Sequence, residues 1–139
     1  MKGAETLVWR RDAAIPDAER FRRGRVLLAL ARRTLERELR SRPSSGGSSL
    51  LPADPPEGWE PWLVESGAVF VSLLLGGELR GCIGTVEPYR RLVDDLRSNA
   101  YQAGFADPRF APLAVDELEA VHIEVSLLGP LEPLTAVIV

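Results

Sequence analysis

A single cysteine and a single histidine stand among the 139 residues. One cysteine cannot close an intramolecular disulfide, so the chain does not read as a secreted disulfide scaffold. The same scarcity excludes a zinc site built from cysteine and histidine alone and leaves only carboxylate-rich metal chemistry open. Long apolar runs are also missing: the longest, Ala68 to Leu75, contains Ser72 and falls far short of the roughly 18 residues that cross a bilayer. Met1 to Arg11 holds no apolar h-region, so no signal peptide is expected and a cytoplasmic, membrane-free protein is. There is no phosphate-cradling glycine loop, no G-x-S-x-G elbow and no H-E-x-x-H helix.

What the chain does hold is a globular balance, 45% hydrophobic and 27% charged, in a length suited to one domain. The charge is divided unevenly. Up to Arg42 there are 12 Lys/Arg against 6 Asp/Glu, and from Pro43 onward 5 against 14, so the two parts carry +6 and -9. Basic blocks can bind nucleic acid, here through the Arg-rich first helix. Sixteen of the 17 basic residues are arginine, however, a bias that codon usage produces, and neither interleaved aromatics nor a reader motif accompanies them. Nucleic acid is therefore not an expected partner.

From Asp17 to about Arg40, apolar residues Phe21, Val26, Leu28, Ala31, Leu35 and Leu39 recur at helical spacing, with Pro16 suited to the first turn and Pro43 stopping the element. Residues 1–16 read as a lead-in and 17–139 as the domain. The Ser/Gly-rich stretch 43–51 predicts a flexible loop. A Pro-rich run from Pro52 to Pro61 follows, with at least one of Trp59 and Trp62 expected to insert into the core. Val69 to Leu75 and Glu78 to Val86 flank Gly76-Gly77, the signature of a hairpin with a two-residue turn. Pairing outward from that turn sets Leu75 opposite Glu78, Leu73 opposite Arg80 and Val71 opposite Cys82. Both hairpin faces are mostly apolar, which predicts cover on both sides. A second helix is expected from Tyr89 to Gly104, burying Leu92, Leu96, Ala100 and Ala103 with Asp95 turned elsewhere, then a short helical turn from Val115. Val121 to Leu128 alternates as a half-buried strand.

Three groups of residues can carry chemistry. In Leu79-Arg80-Gly81-Cys82-Ile83-Gly84, strand alternation puts Arg80 and Cys82 on one face, where a guanidinium favours the nucleophilic thiolate, while Gly81 and Gly84 admit a close neighbour. The opposing reading is a small buried thiol with a structural role. Asp107-Pro108-Arg109-Phe110 is a stiff loop that either presents an ionic anchor or stops a helix, with Asp107 bonding amides and Phe110 filling the core. His122, Glu124 and Ser126 share a strand face that is either a polar site or simply solvated. Any Cys-His dyad would have to join Cys82 to His122.

The run Leu79 to Gly84 after its glycine turn resembles the signature of the AMMECR domain family, whose bacterial members are known as AmmeMemoRadiSam system protein A. The resemblance continues through Glu87-Pro88, the Leu92–Ala103 helix, Asp107-Pro108-Arg109-Phe110 with Pro112-Leu113, Glu117-Leu118 and Ile123-Glu124-Val125-Ser126. It implies an α+β fold, an antiparallel sheet packed with helices plus a smaller lobe, and it implies no established reaction or cofactor. It implies a pathway shared with Memo-like proteins, which resemble extradiol dioxygenases, and with radical SAM proteins. It carries over a candidate site of Arg80, Gly81, Cys82, Ile83 and Gly84, with Asp107, Arg109 and Glu124 behind them; His122 matches no fixed position. Ligand or partner binding at the hairpin is the leading expectation, and a Cys82 nucleophile activated by Arg80 is the alternative. Family members continue beyond the Glu132-Pro133-Leu134 region, so the C-terminal part, ending in apolar Leu134 to Val139, is expected to be shorter than usual.

Overall fold

The protein is described here by a computed structural model covering residues 5–9, 16–41 and 59–128. The expected loop 43–51, the start of the Pro-rich run and Leu134 to Val139 lie outside the described residues.

Helix α1 spans Asp17–Ser41 and buries Leu27, Ala31, Leu35 and Leu39 along one stripe. Each of those leucines withdrawn from water contributes roughly 1.5–3 kcal/mol before entropy is counted. Phe21, expected on that stripe, is instead 67% exposed, and the Arg25 guanidinium lies 5.8 Å from its ring centroid. The short helix α2, Pro61–Val64, brings Trp62 and Leu63 into the core. Glu60 ties it to α1, accepting from the Trp62 indole N–H at 2.8 Å and from Arg22 at 2.8 Å.

Strands β2, Ser66–Leu75, and β3, Glu78–Gly84, form the hairpin. Gly76 and Gly77 have φ of 62° and 83°, the positive pair that the tight turn requires and that side chains resist. Pairing begins as expected with Leu75 opposite Glu78, then departs: Leu74 pairs Leu79, and Leu73 pairs Gly81. Arg80 is left over as a bulge residue. A one-residue slip turns every later side chain to the other face. Gly81 and Ile83 therefore stand beside Leu73 and Val71, while Cys82 stands opposite Ser72, not opposite Val71.

Strand β4 is the pair Arg90–Arg91, bonded to Ser66 and Gly67, so α3 starts at Leu92 and runs to Phe105. After the turn α4, Val115–Leu118, comes β5, His122–Leu128, antiparallel to β2. With β1 the strand Glu5–Trp9, the order across the sheet is β1-β5-β2-β3. Strand β1, Glu5–Trp9, comes from the segment read as lead-in and runs parallel to β5. The fold is α+β, with an antiparallel sheet of β5, β2, β3 and β4 that β1 extends in parallel.

Helices α1 and α3 pack together over one sheet face, where Val69, Val71, Leu73, Ile123 and Val125 are fully buried. Phe70, Ser72, Leu74, Cys82, His122, Glu124 and Ser126 alternate onto the other face and stay half-buried. Cover on both faces was expected; among the described residues the helices supply it on one.

Candidate functional site

Strand β3 is held from outside by the loop after α3. The Asp107 carboxylate, 2% exposed, accepts the Cys82 backbone N–H at 3.0 Å and the Arg109 N–H at 3.0 Å. It also accepts from Arg109 Nε at 3.0 Å and Nη2 at 2.7 Å. The Arg109 Nη2 atom donates as well to the Cys82 carbonyl at 3.2 Å. The Arg109 guanidinium, aided by the two amides against the cost of desolvation, holds the Asp107 carboxyl far below the usual carboxylate range. The reading of Asp107 as an amide acceptor is met, and Arg109 serves both that pair and β3. Phe110 is only half-buried, with Arg109 stacked 5.3 Å from its ring centroid; Leu113 fills the core in its place.

Arg80, the bulge residue, points to a different partner from the thiol. Its Nη2 and Nε atoms donate to Glu117 at 2.8 and 3.1 Å, and Nη1 donates to the Ala111 carbonyl at 2.9 Å. This pairing lowers the Glu117 carboxyl below its ordinary value. Proximity in sequence had suggested that Arg80 charges the Cys82 environment; the bulge sends the guanidinium to the Ala111–Glu117 loop. The guanidinium bonded to Cys82 is that of Arg109, which donates to its carbonyl at 3.2 Å and is raised above its ordinary value first by Asp107.

The Cys82 sulfur accepts a hydrogen bond from Ser72 Oγ at 3.2 Å. Ser72 is in turn paired with Glu124 of β5, so Cys82, Ser72 and Glu124 form a row across three neighbouring strands. His122 pairs with Leu74 and comes within 3.9 Å of Glu124, which leaves it two register positions along from that row on the same face. No Cys-His dyad is set up by this register. At the other end of the row Phe70 pairs with Gly84, and a Cβ on Gly84 would strike the Phe70 ring. Behind the row, Gly81 lies against the Ala103 carbonyl and Ile83 is half-buried against the core. The arrangement offers a soft sulfur, a hydroxyl, a carboxylate and an aromatic ring on a half-open surface, with a guanidinium at the rim.

One polar centre escaped the sequence reading. Asp95, assigned away from the apolar face of its helix, is completely buried. Its carboxylate accepts from Val69 N–H at 3.0 Å, Thr85 Oγ1 at 2.8 Å, Arg90 Nε at 2.8 Å and Asn99 Nδ2 at 3.2 Å. Asn99 also donates to the Val69 carbonyl at 3.0 Å and to Thr85 Oγ1 at 3.0 Å. The available signal was the spacing: Asp95 and Asn99 each fall three residues after a core leucine, Leu92 and Leu96, and so share their face. The centre joins α3 to β2 and fixes the chain leaving β3.

Among the described residues no three His, Cys, Asp or Glu side chains gather as a metal site, and no helix is long and apolar enough to cross a membrane.

The AMMECR1 family profile matches residues 28–138. A protein from Methanothermobacter thermautotrophicus is 42% identical over 112 residues, covering 80% of this chain and 54% of its own length. Another from Thermococcus onnurineus is 40% identical over 114 residues, covering 78% and 52%. The crystal structure of the uncharacterized protein PH0010 from Pyrococcus horikoshii is 34% identical with a TM-score of 0.63, covering 76% of this chain and 50% of that one. The chain thus spans about half the length of these relatives.

Proposed function

The chain belongs to the AMMECR1 family, and from that premise we propose that it is a binding domain whose Leu79–Gly84 hairpin presents the Cys82–Ser72–Glu124 row to a small ligand or partner protein. The observation that carries the reading is the division of labour within the hairpin. Arg80, Gly81 and the Cys82 backbone are engaged by Glu117, Ala103, Asp107 and Arg109, whereas the Cys82 side chain is turned to the half-open face, where it accepts from Ser72. A braced strand with an outward-facing row is suited to recognition, because little order is lost on binding. Gly84 and Ile83 complete the surface, Asp107 and Arg109 hold its rim, and Glu124 closes it toward β5. The cytoplasm is the setting proposed from the sequence reading, and the family resemblance points to an AmmeMemoRadiSam system protein A, with Memo-like and radical SAM proteins as the partners to try first.

Alkylation tests it. Iodoacetamide labels Cys82 of the folded chain, and a Memo-like or radical SAM partner that seats on this face slows labelling. Full labelling in the presence of every such candidate, at concentrations where binding is otherwise detected, overturns the site. The competing reading is a Cys82 nucleophile, for which Arg109, donating to the Cys82 carbonyl at 3.2 Å, is the cation at hand. It requires labelling to rise with pH well below the ordinary thiol value of ~8.5, and an ordinary pH profile removes it.

A further inference from the structure

Helix α1 packs one side against α3 and the sheet and keeps another in water. At about 100° per residue, Arg25, Ala29, Arg33, Arg37 and Arg40 fall within about a third of its circumference. All five are exposed, and from Arg25 to Arg40 the rise is about 22 Å. The neighbouring carboxylates do not neutralise this stripe. Glu19 is held by Arg22 and Arg23, Glu38 is buried, and among the described residues half-buried Glu36 is the one carboxylate on the same face. None of the described carboxylates forms an ion pair with Arg25, Arg33, Arg37 or Arg40. Codon usage accounts for arginine in place of lysine, but not for a run of unpaired arginines on one face. At the start of the stripe stands Phe21, 67% exposed, with the Arg25 guanidinium 5.8 Å from its ring centroid.

We propose that this face of α1 is a docking surface for an acidic segment of a partner protein, its carboxylates on the arginines and an apolar side chain on Phe21. Charge complementarity selects the occupant, because four unpaired guanidinium groups in line present donors that carboxylates match. Arginine and aromatic side chains are also the residues that anchor protein interfaces, and here they adjoin. A nucleic acid fits less well. A duplex runs beyond a 22 Å stripe in both directions, and the residues from Pro43 onward carry -9, which repels phosphate outside it. Phosphates would also leave Phe21 without an apolar contact. The stripe lies on the helix side of the sheet, away from the Cys82–Ser72–Glu124 row, so it is independent of what that row binds.

Fluorescence anisotropy of the full chain tests it with a labelled peptide of about fifteen residues, long enough to span the stripe as helix or strand. The peptide alternates glutamate with alanine and ends in leucine, or in alanine for comparison. Wild type is expected to bind it, more weakly as salt rises. Arg33→Gln with Arg37→Gln should weaken binding about tenfold, since two charge pairs are lost. Phe21→Ala should weaken only the leucine peptide and bring it level with the alanine one. A control, Val86→Asp with Tyr89→Asp, makes the same change in net charge on the exposed turn after β3 and should bind as wild type does. Every substituted side chain is exposed, so none of the variants opens the core. The proposal is overturned by wild type that does not bind at low salt, by two peptides that bind alike, or by an arginine variant that loses no more than the control. Tighter binding of a DNA duplex or a phosphatidylserine vesicle than of the peptide, at the same salt, would overturn it too.

Discussion

Gly81 lies directly beneath Ala103: a Cβ built on it falls onto the Ala103 carbonyl oxygen and within 3.0 Å of the carbonyl carbon. The close approach lets α3 settle on β3. Backbone cannot swing aside as a flexible side chain does, so Gly81→Val must separate helix from strand. The expected cost is about 3 kcal/mol, measured as a shift of the urea midpoint. An unchanged midpoint would mean that the helix end yields freely.

Asp95→Ala should cost about 3 kcal/mol, because it strips a fully buried centre and leaves the Val69 N–H unmet. Thr85→Val removes one hydroxyl from the same centre while Arg90 and Asn99 keep their bonds to the carboxylate, and about 1 kcal/mol is expected. Chemical denaturation of both variants checks the ratio; equal losses would refute the central place given to Asp95.

Acid should unfold the protein through its paired carboxylates. Arg109 depresses Asp107, Arg80 depresses Glu117, Arg91 depresses Asp94, Arg22 depresses Glu60, and Arg22 with Arg23 brings Glu19 to about 2. A depressed carboxyl adds stability that is complete above its unfolded value, roughly 4, and is lost as pH falls through the folded value. These groups therefore make stability fall from about pH 4 downward and leave it flat from about pH 5 to 8. Arg109→Ala should lower stability at neutral pH, by a small amount because the guanidinium is exposed, and the gap to wild type should close in acid. A gap that stays constant to pH 2 would show that Asp107 is not the group involved.

Arg80→Ala should loosen the loop it holds without altering the thiol. Amide exchange at Leu113 and Glu117 is expected to quicken, while the pH dependence of Cys82 alkylation matches wild type, since the lost contacts are to Glu117, Ala111 and Pro112. Mass spectrometry reads both. An alkylation profile displaced by Arg80→Ala would restore Arg80 as the residue acting on Cys82.

Periodicity and turn chemistry by themselves determined the elements: α1 and α3, the glycine-turned hairpin, and β5 with Ile123 and Val125 inward all follow from local spacing, because a helix or strand is recognisable from which positions must leave water. The Leu79–Gly84 run, together with the matching stretches from Glu87-Pro88 to Ile123-Glu124-Val125-Ser126, likewise pointed to the family. Tertiary structure decided the site. Nothing local marks the bulge at Arg80, since a bulge is selected by how β3 meets β2 and α3, yet it alone turns Cys82 to Ser72 and sends Arg80 to Glu117. The pairing of Asp107 with the Cys82 amide spans 25 residues, and the joining of Asp95 to Val69 spans 26. The partners of a buried charge are chosen by whatever the fold brings within reach, and sequence spacing alone does not encode that reach.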